Sequence, residues 1–131
     1  MAIARTTAAN SEQVKPLQTA IVRRYTAGAT ILPGEIVSMQ SDGFVDPADT
    51  TSAAQTVVGV AIKGGVVTDT IDVVVFGPVV CITGGTPGAT VHASDTAGEP
   101  AESADSTDSM LGLGEAATIV FVRQNTQYPD Q

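Results

Sequence analysis

The chain has 131 residues, a length that fits one domain with a modest core. It has only five aromatics (Tyr25, Phe44, Phe76, Phe121 and Tyr128) and no Trp, so Val, Ile and Ala must fill the interior, a composition that favours strands. Its formal net charge of −8 is uneven: through Arg24, the cations Arg5, Lys15, Arg23 and Arg24 outweigh Glu12 to give +3, whereas the remainder carries −11. An acidic body repels nucleic acid and membrane headgroups, which argues against either as a partner of the body.

The leader comes first. From Met1 to about Thr19 it is Ala, Thr, Ser, Gln and Asn with scattered charge, too polar to offset its ordering entropy, and residues 1–27 read as a flexible basic arm. Within it, Leu17, Ile21 and Val22 lead into Arg23-Arg24-Tyr25, which reads as a first strand or an arm anchor. It lacks the apolar run of a secretory signal. The longest apolar stretch, Val73 to Ile82, is ten residues broken by Gly77 and Pro78, half of what a bilayer-spanning helix requires.

Residues 28–131 read as an all-β domain. Strands are expected near Ile36 to Gln40, Phe44 to Val45, Val57 to Ile62, Thr70 to Phe76, Val79 to Thr83, Thr90 to Ala93 and Thr118 to Arg123. Turns are expected at Pro33-Gly34, Asp42-Gly43, Gly64-Gly65, Gly77-Pro78, Gly84-Gly85 and Pro87-Gly88, where Gly supplies positive φ and Pro presets φ. Their close spacing predicts a sandwich or barrel. One short helix candidate covers Thr50 to Thr56. The segment Ser94 to Ser109 carries Asp95, Glu99, Glu102, Asp105 and Asp108 without a large apolar residue, as a solvated loop would.

This order is stated twice. Pro33-Gly34, a strand, Asp42-Gly43, Val58-Gly59-Val60 and the Val-rich run to Phe76 are echoed by Pro87-Gly88, a strand, Ala97-Gly98, Leu111-Gly112-Leu113 and the run Thr118 to Arg123. The predicted fold is therefore mostly β, a small β-barrel or β-tulip-like sandwich built from two similar units. In both Val-rich strands the two faces are apolar: Ile71, Val73 and Val75 oppose Val74 and Phe76, and Ile119 and Phe121 oppose Val120 and Val122. Such strands are central in a closed barrel or face another subunit.

Chemistry is hard to seat on these residues. His92, the only histidine, falls where Ser38 lies in the first copy and has no nucleophile or ligand set beside it. Cys81 lies in the apolar run Val79 to Ile82 and reads as an inert small hydrophobe. The acids of residues 95–108 do not follow a calcium-loop order, and no glycine run matches a phosphate-binding loop. No catalytic residue, metal ligand or cofactor is predicted. The basic leader is the one charged feature that points to a contact: Arg5, Lys15, Arg23 and Arg24 lack the interleaved aromatics of a nucleic-acid binder. They suit an arm that orders on an acidic protein surface, either a neighbouring subunit or a larger assembly.

The run Pro33-Gly34-x-x-Val37, the strand Val57-Val58-Gly59-Val60-Ala61, the stretch Phe76-Gly77-Pro78-Val79, then Pro87-Gly88-Ala89-x-Val91 and Leu111-Gly112-x-Gly114-x-Ala116 with Ile119 to Arg123 resemble the capsid cement, or head decoration, proteins of tailed bacteriophages. The resemblance spans Gly28 to Arg123. It implies a β-tulip-like or barrel domain on the outside of the expanded head, clustered as homotrimers near local three-fold axes and stapling neighbouring major capsid protein subunits, with the N-terminal arm in the contact. It places the protein on the virion surface after synthesis in the host cytoplasm. The longer leader and the Ser94 to Ser109 loop depart from shorter members. Two other readings stay open: another virion β-domain of tail or spike, and a metal-binding module on the acidic loop. If the arm makes the contact, deleting the residues before Pro16 weakens attachment without unfolding the body.

Overall fold

The computed structural model describes residues 4–5, 14–40, 42–48, 56–93, 98–101 and 110–123. The first unit of the chain contains β4 (Ile36–Met39), β5 (Val45–Pro47), β6 (Thr56–Lys63) and β7 (Thr70–Val80); the second contains β9 (Thr90–Ala93), β10 (Pro100–Ala101), β11 (Met110–Gly114) and β12 (Ile119–Val122). They join in one antiparallel sheet with the order β10-β9-β11-β12-β7-β6-β4-β5. From each outer end the path is the same, second strand, first, third, fourth, and the units meet where β12 pairs with β7. The repeat read in the sequence is thus a repeat of topology.

Local geometry repeats with it. Gly34 and Gly88, each after its Pro, both have φ of 89°, and the turn glycines Gly43 and Gly98 have φ of 86° and 82°. In the middle of the third strand of each unit sits a glycine that the neighbouring strand crowds. A Cβ on Gly59 would run into the Val74 carbonyl oxygen, and one on Gly112 into that of Phe121. Only a residue without a side chain lets the backbones approach this closely.

The sheet is a curled half-barrel, and the described residues contain no helix. Its two ends are brought together at Gly98, whose N–H donates to Ala48 O at 2.8 Å while its own carbonyl accepts from Ile36 N–H at 3.0 Å. The main core lies inside the curl and is shared by both units: Ile36, Val60 and Val74 pack with Val91, Leu111, Val120 and Val122. A second, smaller cluster, Ala27, Ile31, Val37, Val45, Ala61, Ile71 and Val73, covers the other face of the first unit. Both faces of β7 between Ile71 and Val74 are therefore covered within the chain.

Two expectations are corrected. The pair Gly77-Pro78 makes no turn; it lies inside β7, at the point where that strand exchanges β3 (Ile21–Thr26) and β6 as partners for β2 (Lys15–Pro16) and β12. Gly77 takes φ of 110° and passes Ala20 so closely that a Cβ would sit 2.7 Å from its Cα. Val74 and Val79, an odd number of residues apart, both face the main core, so strand alternation is reset across this kink. The second correction concerns the leader. Lys15–Pro16 and Ile21–Thr26 form β2 and β3 and pair with β7, so the sheet begins well before residue 28, and the strand expected to run into Arg23-Arg24-Tyr25 is β3. Val14 is buried in the main core. Ala4–Arg5 forms β1 and pairs with β8 (Ile82–Thr83). The helix candidate lies outside the described residues, apart from Thr56, which opens β6.

Candidate functional site

Strand pairing gathers the basic residues predicted for contact. Register places Lys15 opposite Val80, Arg23 opposite Val73 and Arg24 opposite Asp72, so three cations from the leader line one long strand. All three are exposed. Arg24 Nε lies 3.6 Å from Asp72 Oδ1, a surface ion pair that orients the guanidinium and contributes little to stability. Arg5 lies on β1 opposite Ile82, just past the end of β7.

Beside these cations runs an apolar stripe across four strands. Ile21 on β3 pairs with Phe76 on β7, the Phe76 ring meets Phe121 on β12 edge to face with centroids 5.2 Å apart, and Phe121 pairs with Leu113 on β11. Ile21 is 53% exposed, Phe76 44% and Leu113 39%. In a chain with three Phe, two are spent on an outer surface, and no aromatic among the described residues is buried. The sequence signal was the two-sided apolar pattern of β12; Val120 and Val122 take the core, which turns Phe121 outward.

A second exposed apolar patch forms at the β6–β7 hairpin. Val66, Val67 and Leu32 flank a groove of about 320 Å³ lined by Thr30 to Pro33 and Gly64 to Val66. The tip is tightly held. The Asp69 carboxylate accepts from Val66 N–H at 2.9 Å, and the β-branched Thr68 sits at φ of 75°.

The residues weighed for chemistry lie within strands and turns of the body. His92 is buried on β9, with Nε2 2.9 Å from Thr90 Oγ1. Its match in the first copy, Ser38, is buried too. Glu35, which sequence reading passed over, is also buried, and its Oε1 accepts from Leu32 N–H at 2.9 Å to close the Pro33-Gly34 turn. Among the described residues no three His, Cys, Asp or Glu side chains gather as a metal site. Of the acids in the loop, Asp95, Glu102, Asp105 and Asp108 lie outside the described residues.

Cys81 is fully enclosed, and burial pushes its thiol up to about 12. Since only the thiolate reacts, Cys81 is expected to resist Ellman's reagent in the native protein and to titrate as one thiol once denaturant is added. Rapid native labelling would contradict the packing around it.

Comparison with protein-family models, with curated proteins and with solved structures gives no match to this chain.

Proposed function

We propose that this protein is a structural decoration, or cement, protein of a tailed-bacteriophage head, which binds the outer surface of the expanded shell and stabilises contacts between major capsid protein subunits. The observation that carries the reading is the placement of exposed Lys15 and Arg23 along β7 on the face of an exposed apolar stripe, with Arg24 on the opposite face beside Asp72, on a body that is otherwise strongly acidic. A surface with cations around apolar groups fits an acidic protein partner, and a repeating shell adds modest contacts through avidity. A homotrimer at local three-fold positions is the arrangement the resemblance supports for copies on the shell. The same reading makes the protein a non-enzymatic virion component.

The arm is tested by deletion. Because Val14 belongs to the core, the informative cut removes residues 1–13 and keeps Val14, not all residues before Pro16. The truncated protein is expected to melt within a few degrees of the full chain and to occupy purified expanded heads less fully at equal concentration. Equal occupancy by both would remove residues 1–13, Arg5 among them, from the contact.

A further inference from the structure

Residues opposite one another in an antiparallel ladder share a face, so the outer surface of β2, β7, β12 and β11 can be read in rows. Val79 and Val120 point into the main core, which turns Val80 and Ile119 outward. Lys15, Val80 and Ile119 are opposite one another across β2, β7 and β12. The row continues to exposed Glu115, whose N–H donates to Ile119 O at 2.9 Å. It reads cation, apolar, apolar, anion. The next row holds Pro78, Phe121 and Leu113, and the one after it Ile21 and Phe76.

We propose that a second copy of this chain docks on this face, the two copies related by a twofold axis running along β7 and β12. Such a rotation exchanges the two ends of every row. Lys15 of each copy then lies over Glu115 of the other, and Val80 lies over Ile119 of the other. The first row is self-complementary in charge as well as in apolar character, which is the condition an isologous contact must meet. Two such sheets pack in the aligned manner of a β-sandwich. A face of three short rows falls well below the standard interface of about 1,600 Å² in total, in the class of weak, transient contacts. Because a twofold face cannot close a ring of three, the contact belongs to the free protein. The trimer proposed on the shell uses other surfaces; the paired face includes Lys15 and the apolar stripe proposed to meet the shell, so pairing competes with head binding, and sedimentation of the free protein tests the pairing by itself.

Sedimentation velocity of the full chain from about 5 to 500 µM tests this directly. The expected result is a concentration-dependent shift from monomer to dimer. Phe121→Glu is expected to remain monomeric across the range while keeping the wild-type circular dichroism spectrum. Lys15→Glu and Glu115→Lys are each expected to weaken the dimer about tenfold, since each sets like charges against each other at both ends of the contact. The double variant Lys15→Glu with Glu115→Lys is expected to recover the wild-type Kd within about threefold, a rescue that nonspecific apolar adhesion does not produce. A monomer at every concentration, a species larger than a dimer, or a double variant no tighter than the single ones would overturn the proposal.

Discussion

Gly59→Ala and Gly112→Ala are each expected to destabilise the fold by about 2–4 kcal/mol, a large share of the 5–15 kcal/mol typical of a domain. The added methyl would occupy the space of the Val74 carbonyl oxygen in one case and of the Phe121 carbonyl oxygen in the other. Neither obstacle is a side chain that can swing away. To make room, β6 must separate from β7, or β11 from β12, and each of those strands carries core valines or leucine on its inner face. Gly88→Ala is the informative control. Its Cβ would meet nothing within 4 Å, so the substitution costs only the strain of φ at 89°, about 1 kcal/mol. Urea denaturation of the three variants checks the order. A Gly59→Ala variant as stable as Gly88→Ala would show that close strand approach is not what that glycine provides.

The second large effect concerns attachment. The double variant Arg23→Glu with Arg24→Glu is expected to lower occupancy of expanded heads at least tenfold while leaving the unfolding free energy within about 1 kcal/mol of wild type. Both side chains are exposed and the only described ion pair lost is Arg24 with Asp72. A single surface contact contributes about 0.2–1 kcal/mol, but reversing two charges turns attraction into repulsion at every lattice point the protein engages. Occupancy measured by gel densitometry of washed heads, beside a melting curve, separates the effects. Wild-type occupancy by a folded variant would take β3 out of the contact.

Much of this architecture could be read in the sequence because it rests on local chemistry. The turns at Pro33-Gly34 and Pro87-Gly88 and the glycines within Val58-Gly59-Val60 and Leu111-Gly112-Leu113 are set by steric rules acting over a few residues, and together they marked two like units. What escaped was partner choice, which depends on distant chain. Gly77-Pro78 has the composition of a turn, yet β2 and β3 arrive from the leader to flank β7 and make it a kink in one long strand. Val14, the one large apolar residue between Arg5 and Pro16, gave no local sign that it would be buried. For the candidate site, composition named Arg5, Lys15, Arg23 and Arg24 as a basic set; only the register of β2 and β3 on β7 brings Lys15 and Arg23 to one face and turns Arg24 to the other. The outer position of Phe76 and Phe121 was half legible: alternation said that one face of β12 needed covering from outside, but not which.

Heating expanded empty heads with and without the purified protein tests the head-binding proposal most directly. Saturating protein is expected to pellet with the heads and to raise the temperature at which they break open by several degrees, since a ligand that binds only the intact lattice stabilises it by mass action. Heads that neither bind the protein nor change their breaking temperature would contradict the proposal that it is a cement for the shell.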